Sequence, residues 1–168
     1  AFGAKFALAQ GRTILGDEMG LGKTLEALAM ICHLRSEGAT HFLVVCPASV
    51  LTNWEQEIRR HTRLDDIRRL HGQERGRQLG WWAEQGGVAL TTFGTLGSMD
   101  IPAIDLAATI VDEAHLAKNP EAKRTQAVRA WLQHSQRALL MSGTPMENRV
   151  DEFITLVSHI NPPLSDTI

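Results

Sequence analysis

The chain has 168 residues, the size of one ordinary domain with room for a buried core. Its apolar content of 43% and formal net charge of −2 are those of a soluble globular protein and do not give the overall basic footprint of a protein dominated by phosphate contacts. No apolar run approaches the ~20 residues that a membrane span requires, and no signal-peptide pattern stands at the amino terminus.

The predicted elements alternate along the chain between short apolar runs and amphipathic stretches. In chain order the predicted strands are Thr13–Leu15, Phe42–Cys46, Ile67–Leu70, Val88–Thr92, Thr109–Val111 and Ala138–Met141. The predicted helices are Lys23–Ser36, Ser49–His61, Glu74–Glu84, Glu121–His134 and Val150–Ile160. This alternation predicts an α/β domain with a central, mainly parallel sheet and helices on both faces. Trp81, Trp82 and Trp131 lie on predicted amphipathic helices and are expected in the core.

The two cysteines lie in apolar segments and outside any metal-ligand spacing. Cys32 and Cys46 therefore predict reduced, buried thiols rather than a disulfide framework. We expect a cytoplasmic or nucleoid location, or a nuclear one in a eukaryotic source.

The first chemical motif is Gly16–Thr24, which follows a short apolar strand and opens a helix, the context of a phosphate-binding P-loop. Small residues let successive N–H groups point at a phosphate, and the helix N-terminus adds its positive dipole end. Lys23 would reach the β- and γ-phosphates, and the Thr24 hydroxyl would ligate Mg²⁺. The predicted nucleotide-binding residues are Asp17, Met19, Gly20, Leu21, Gly22, Lys23 and Thr24. Asp17 stands where the general P-loop pattern has glycine.

The second motif is an apolar strand that ends in Asp112-Glu113-Ala114-His115. A P-loop ATPase needs an acid at the carboxyl end of a neighbouring strand to hold the magnesium shell, and Asp112 fits that role, partly through water. Glu113 is the candidate base that orients and deprotonates the attacking water. The predicted catalytic residues are therefore Lys23, Asp112 and Glu113.

These motifs and their order resemble the first ATPase lobe of the SWI/SNF-type DNA translocases and chromatin remodellers, which are DEAH-box members of the superfamily-two helicase-like proteins. The matching segments are Asp17–Thr24, Val44–Trp54, Thr91–Phe93, Asp112–His115 with Lys118-Asn119, and Ser142–Asn148. The family has aspartate at the place of Asp17, so the departure from the general pattern supports the resemblance.

The resemblance implies a three-layer RecA-like P-loop NTPase fold over residues 1–168, with ATP and Mg²⁺ at the carboxyl ends of the strands. It also implies a longer parent protein, with an upstream glutamine segment that selects adenine and a second ATPase lobe that supplies arginines. Ala1–Leu8 resembles the middle of a helix and agrees with a fragment of something longer. We therefore expect ATP hydrolysis by the parent protein and almost none by the isolated lobe.

Two further groups of residues take their expected roles from the same resemblance. Contacts to the phosphate backbone of double-stranded DNA are implied for Pro47, Ser49, Thr91, Thr92, Lys118 and Asn119. Coupling of the nucleotide state to DNA movement is implied for His115, Ser142 and Thr144, with a hydrogen bond between His115 and the hydroxyl-bearing turn after the last strand. Ser49 is at the same time a candidate helix N-cap, and Trp54 is interpreted as a core residue rather than a base-stacking one.

Two alternatives to a duplex-DNA translocase stay open from the sequence. The first is a strand-separating DEAH helicase or the motor lobe of a restriction system. The second, from another class, is a non-catalytic nucleotide-binding interaction module, against which the presence of Lys23, Thr24, Asp112 and Glu113 argues.

Overall fold

The computed structural model of the chain describes residues 22–117, 119 and 121–142, and the backbone of residues 12–16. The strands are β1 (Arg12–Gly16), β2 (His41–Cys46), β3 (Ile67–Leu70), β4 (Gly87–Thr92), β5 (Leu106–Val111) and β6 (Arg137–Ser142). The α-helices are α1 (Gly22–Ser36), α2 (Leu51–His61), α3 (Arg75–Gln85), α4 (Phe93–Leu96) and α5 (Lys123–His134). Short 3₁₀ turns cover Ala48–Val50 and Ala114–Ala117.

The six strands form one sheet in the order β1-β6-β5-β2-β4-β3, and every pair of neighbours is parallel. Parallel neighbours require crossover connections, which here are the helices. Because all the strands run in one direction, their carboxyl ends meet at one edge of the sheet. This edge is where open α/β sheets bind ligands.

Helices cover both faces of the sheet, and each face has its own core. Alternate residues of β2 point to opposite faces, as the strand period of two requires. Phe42 and Val44 pack with α1 and α2, including Ile31. Leu43 packs on the other face with α3, α4 and α5, including Trp131. The three-layer α/β fold predicted from the sequence is therefore confirmed.

The predicted strands are all present, and four of the predicted helices are present with boundaries shifted by one or two residues. The helix predicted at Val150–Ile160 lies outside the described residues. The strands Leu106–Val111 and Arg137–Ser142 are longer than predicted, because their first residues pair with neighbouring strands that the local pattern does not reveal. No helix among the described residues is long and apolar enough to cross a membrane.

Two local interpretations were wrong. Ser49 is not the N-cap of the following helix, since it lies inside the 3₁₀ turn and α2 begins at Leu51 without a side-chain cap. Trp81 is not in the core but 48% exposed, with the Arg68 guanidinium 4.7 Å from its ring centroid. A cation above an indole ring stabilises such an exposed aromatic side chain. Trp82 and Trp131 are buried as predicted.

Candidate nucleotide site

Four strands bring the predicted catalytic groups to one stretch of the sheet edge. β1, β6, β5 and β2 are consecutive in the sheet. Gly16 at the end of β1 pairs with Ser142 at the end of β6. Val111 at the end of β5 pairs with Val45 near the end of β2. The residues that follow these strand ends therefore lie close together although they are distant in sequence.

Lys23 lies in the first turn of α1 and reaches this edge. Its ammonium group donates a hydrogen bond of 2.5 Å to the backbone carbonyl of Ser142. The lysine side chain is half-buried, and Thr24 beside it is half-buried too. A strongly hydrated ammonium on a flexible stem suits a ligand such as phosphate, because it is a movable point charge. The predicted nucleotide-binding residues Asp17, Met19, Gly20 and Leu21 lie outside the described residues.

Asp112 follows β5 directly and is held at several atoms. Its backbone N–H donates to the Val45 carbonyl at 2.8 Å, which continues the pairing of β5 with β2. Its carboxylate accepts the Glu113 N–H at Oδ1 and the Trp54 indole N–H at Oδ2, each at 2.9 Å. A carboxylate offers about four lone-pair positions, so two donors leave acceptor capacity on both oxygens. Asp112 is thus a fixed carboxylate whose oxygens can accept further contacts.

Glu113 has the left-handed backbone conformation, with φ at 56°. Among the described residues it is the one non-glycine residue with a positive φ. Such a conformation costs about 1–3 kcal/mol and persists where surrounding contacts determine it. Here the Glu113 carbonyl accepts the Leu116 N–H at 2.9 Å, and its N–H is held by Asp112. The turn directs the Glu113 carboxyl, 36% exposed, towards His115.

His115 connects the acidic motif to the last strand. Its Nδ1 lies 3.2 Å from Glu113 Oε2 and 3.0 Å from the hydroxyl of Ser142. The hydrogen bond expected between His115 and the end of the last strand is therefore present. Because the Ser142 carbonyl also accepts from Lys23, one continuous series of contacts runs from Lys23 through Ser142 and His115 to Glu113. Thr144 lies outside the described residues.

The described donors fit ATP and Mg²⁺ by their chemistry. Mg²⁺ prefers oxygen ligands and is usually held by one or two carboxylates together with substrate phosphates, not by a cage of protein ligands. Asp112 and Thr24 offer oxygens of that kind, and Lys23 supplies the positive charge. Within the described ranges no group of three His, Cys, Asp or Glu side chains forms a metal site of its own. The donor set therefore suits a metal that arrives with a nucleotide.

Cys46, at the end of β2, is buried behind this edge. Its pKa is raised to about 12, because burial disfavours the thiolate and the negative charge of Asp112 adds to that effect, while Arg69 opposes it. The Sγ atom lies 3.7 Å from the Thr91 carbonyl. Both cysteines are free thiols in the structure, and Cys46 is buried as predicted, whereas Cys32 is only half-buried. The environment of Cys46 keeps its sulfur protonated at neutral pH.

The residues expected to contact DNA differ in their exposure. Ser49 and Asn119 are exposed and Pro47 is half-buried, whereas Lys118 lies outside the described residues. Thr91 is completely buried, and its hydroxyl donates to the Leu70 carbonyl at 2.8 Å. The Thr92 side chain is also buried and caps α4 by accepting the Thr95 N–H. For these two threonines a hydroxyl contact to a phosphate does not agree with the structure, because both hydroxyls already serve the fold.

Sequence reasoning missed the contact between Trp54 and Asp112. Trp54 was interpreted as a core residue, and it is 1% exposed, but its indole N–H points to the acidic motif. The available signal was the position of a tryptophan one turn into a helix that follows a strand end. The position of β2 next to β5 in the sheet, which creates the contact, is not encoded in any local pattern.

Comparisons with known proteins give a consistent result. The family model described as SNF2-related domain matches residues 6–167. A Drosophila melanogaster homologue of the SWI/SNF-related matrix-associated actin-dependent regulator of chromatin subfamily A containing DEAD/H box 1 is 36% identical over 89% of this chain. Mouse chromodomain-helicase-DNA-binding protein 6 is 32% identical, also over 89% of it. The chain spans 19% and 6% of the lengths of these two relatives.

The solved structure of the Sulfolobus solfataricus SWI2/SNF2 ATPase core in complex with double-stranded DNA superimposes with a TM-score of 0.81 and 29% sequence identity. The match covers 97% of this chain and 35% of the archaeal one. The shared fold is therefore that of one part of a larger ATPase core.

Proposed function

Since the chain belongs to the family of SNF2-related domains, we propose that it is the ATP-binding and ATP-hydrolysing half of a DNA-dependent ATPase that translocates on duplex DNA. One observation carries the proposal: Lys23, Ser142, His115 and Glu113 form a connected series at the carboxyl edge of the sheet. The complex of the archaeal relative with double-stranded DNA supports the choice of partner.

In this proposal the nucleotide phosphates replace the Ser142 carbonyl as the partner of Lys23. Thr24 and Asp112 would hold Mg²⁺, which would neutralise charge on the transferred phosphoryl group. Catalysis of phosphoryl transfer is mainly positioning and electrostatic stabilisation, so fixed donors are worth more than flexible ones. The two hydrogen bonds to the Asp112 carboxylate supply that fixed geometry.

Glu113 acts as the base in the proposed reaction. Its carboxyl is partly exposed and therefore accessible to a water molecule. The carboxylate would take a proton from this water as the water oxygen bonds to the γ-phosphorus of ATP and the bond from that phosphorus to the ADP leaving group breaks. The Glu113 carboxyl lies next to His115, whereas the Asp112 carboxylate accepts from the Trp54 indole N–H. The two neighbouring acids can then serve different atoms: one holds the metal and the other the water.

The coupling role proposed for His115 and Ser142 follows from their shared contacts. Lys23 touches the Ser142 carbonyl, and His115 touches the Ser142 hydroxyl. When Lys23 turns to a phosphate, Ser142 loses a partner at the end of β6. Thr144 and the residues after β6 would carry this change to the DNA-binding surface and to a second lobe of the parent chain.

For the DNA surface we propose the exposed Ser49 and Asn119 and the half-buried Pro47, together with Lys118, which lies outside the described residues. Hydroxyl and amide groups and free backbone N–H groups bind phosphate without reading bases, so the contact would be independent of sequence. Thr91 and Thr92 contribute by fixing the shape of the strand end. A protein with this partner acts where DNA is, in a nucleoid or a nucleus.

The proposal is tested with Lys23→Ala in the protein that carries this chain. We expect nucleotide affinity to fall and DNA-stimulated ATP hydrolysis to drop to background, measured by phosphate release with and without linear duplex DNA. Lys123→Ala is the matched control, because Lys123 is an exposed lysine on α5. It should leave nucleotide binding unchanged. Undiminished hydrolysis in Lys23→Ala would contradict an enzymatic role.

A triplex-displacement assay and a strand-displacement assay then separate the two kinds of motor. A duplex translocase removes a third strand from intact duplex without separating the duplex. Separation of the duplex itself would indicate a helicase. If neither occurs and DNA does not stimulate hydrolysis, the proposed motor function is wrong.

A further inference from the structure

Trp54 joins the first helix after β2 to the acidic motif through a single polar contact. Its Nε1 lies 2.9 Å from Asp112 Oδ2. The ring is 1% exposed and packs in the core between the sheet and its covering helices, with Ile58 from the same helix. A buried indole N–H requires a hydrogen-bond partner, and here the partner is a carboxylate.

We propose that Trp54 is a positioning residue that holds the Asp112 carboxylate in the orientation needed to bind Mg²⁺ with the nucleotide. This inference rests on the proposed ATPase function and adds a residue to its machinery. Trp54 touches neither nucleotide nor metal in this proposal. It acts through Asp112.

The geometry of the Asp112 carboxylate supports this role. The terminal torsion of an aspartate is broad, so a carboxylate without fixed donors rotates easily. Two donors, the Glu113 N–H on Oδ1 and the Trp54 N–H on Oδ2, define the plane of the group. The Glu113 donor belongs to the adjacent residue and moves with the turn. The Trp54 donor lies on the buried face of α2, so it is fixed by the core and not by the turn that contains Asp112.

A second buried tryptophan shows what a purely structural indole does. Trp82 is 0% exposed, and its N–H donates to the backbone carbonyl of Gly87 at 2.9 Å. The two indoles are alike in burial and in hydrogen-bond length. They differ in the acceptor: the backbone carbonyl of Gly87, at the amino end of β4, for Trp82, and a proposed metal ligand at the carboxyl end of β5 for Trp54. This pair offers a matched comparison.

The decisive experiment compares Trp54→Phe with Trp82→Phe in the protein that carries this chain. Phenylalanine keeps an aromatic ring and removes the N–H. The probe is a fluorescent ADP, titrated with Mg²⁺, so that the result does not depend on hydrolysis. Loss of an outer partner of a metal ligand typically costs about 10–100-fold in metal affinity. We expect the half-saturating Mg²⁺ concentration to rise about tenfold in Trp54→Phe.

The control variant and a metal-free measurement complete the test. Trp82→Phe should lower the thermal midpoint without moving the Mg²⁺ dependence, and nucleotide binding in EDTA should be equal in both variants. An unchanged Mg²⁺ requirement in Trp54→Phe, or an equal shift in Trp82→Phe, would overturn the inference. If Trp54→Phe does not fold, benzothienylalanine at position 54 keeps the bicyclic ring and replaces the N–H by sulfur, with the same expected shift.

The contact itself is visible without metal or nucleotide. The indole ¹⁵N–¹H signal of Trp54 should move in Asp112→Asn, while that of Trp82 stays in place. Absence of any shift would show that the hydrogen bond does not exist in solution. Failure of DNA stimulation in the wild-type protein, by contrast, would contradict the proposed motor and leave the Mg²⁺-dependent binding experiment interpretable.

Discussion

Two parts of the same sheet edge carry polar residues and use them differently. At the ends of β5 and β6, Asp112, His115 and Ser142 contact groups from other strands and helices. At the ends of β3 and β4, the hydroxyls of Thr91 and Thr92 are used by the neighbouring strand and by the start of α4. A polar residue at a strand end is therefore a candidate ligand group only when local structure does not already saturate it.

The largest expected effect on ATP hydrolysis comes from a substitution in the acidic motif at the end of β5. Glu113→Gln keeps the shape of the side chain and removes its basicity. General base catalysis contributes about 10²–10⁴-fold, so kcat for ATP hydrolysis should fall by about that factor while nucleotide affinity is kept. Single-turnover hydrolysis and equilibrium binding measure the two quantities. A parallel loss of affinity would show that Glu113 holds the nucleotide and does not act as the base.

Next in size is the effect of Ser142→Ala, which removes the hydroxyl of that residue and keeps its backbone. The variant loses the hydroxyl bonded to His115 and keeps the carbonyl bonded to Lys23. Coupling between sites typically amounts to about 5–150-fold, so we expect DNA stimulation of ATP hydrolysis to fall about fivefold or more. The nucleotide affinity without DNA should stay close to that of the wild type. Equal loss with and without DNA would contradict a role in coupling.

Thr91→Val and Ser49→Ala compare a buried hydroxyl that stabilises the fold with an exposed hydroxyl that is proposed to contact DNA. Thr91→Val leaves the Leu70 carbonyl without its side-chain donor, so the free energy of unfolding should fall by about 1 kcal/mol while DNA affinity is kept. Ser49→Ala alters an exposed side chain and should change stability by less than about 0.5 kcal/mol, while it weakens DNA binding. Denaturant unfolding and fluorescence anisotropy with duplex DNA measure the two properties. If Thr91→Val weakened DNA binding and Ser49→Ala lowered stability, the distinction between buried and exposed hydroxyls would be wrong.

The smallest effect concerns an ion-pair cluster on the outer side of α2. Glu55 accepts hydrogen bonds from Arg69 at 2.5 Å and from Arg59 at 3.2 Å. Burial raises its pKa, but the hydrogen bonds and charges of the two arginines outweigh burial and hold the pKa of Glu55 below its usual value. A depressed folded-state pKa gives stability that is present above the unfolded-state pKa of about 4.3 and lost as pH falls through the folded-state value.

Because the arginines are largely exposed, this contribution is small, at most about 1 kcal/mol. The difference in unfolding free energy between wild type and Glu55→Gln should therefore be measurable at neutral pH and shrink in acid. Urea unfolding at both pH values checks this. A difference that grows in acid would contradict the direction of the pKa shift.

Most of the fold was predictable because its signals are local. For several strands, apolar runs without alternation indicated burial in a parallel sheet, and the structure contains all six predicted strands. The acidic motif after β5 and the motif that begins at Ser142 were recognisable from short patterns, and the hydrogen bond between His115 and Ser142 was expected. The roles of these residues in catalysis and coupling stay predictions.

The features that the sequence did not predict depend on the order of strands in the sheet, on which helix face is exposed and on where a helix begins. The contact of Trp54 with Asp112 needs β2 beside β5, although β3 and β4 lie between them in sequence. Trp81 and Trp82 are adjacent on one helix, and periodicity alone did not tell which of them faces the sheet. Ser49 has the residue type of a cap, but the 3₁₀ turn after Pro47 delays the helix to Leu51.

Ser142 makes one contact through its backbone and another through its side chain, and these two contacts respond differently to mutation. Its carbonyl belongs to the position and survives any substitution that keeps the backbone path, so the resting partner of Lys23 does not depend on the side chain. Its hydroxyl belongs to the residue type and is lost or kept by a single codon change. A change to threonine at this position keeps a hydroxyl for His115, and a change to alanine removes it. In both cases the backbone carbonyl that accepts from Lys23 is retained.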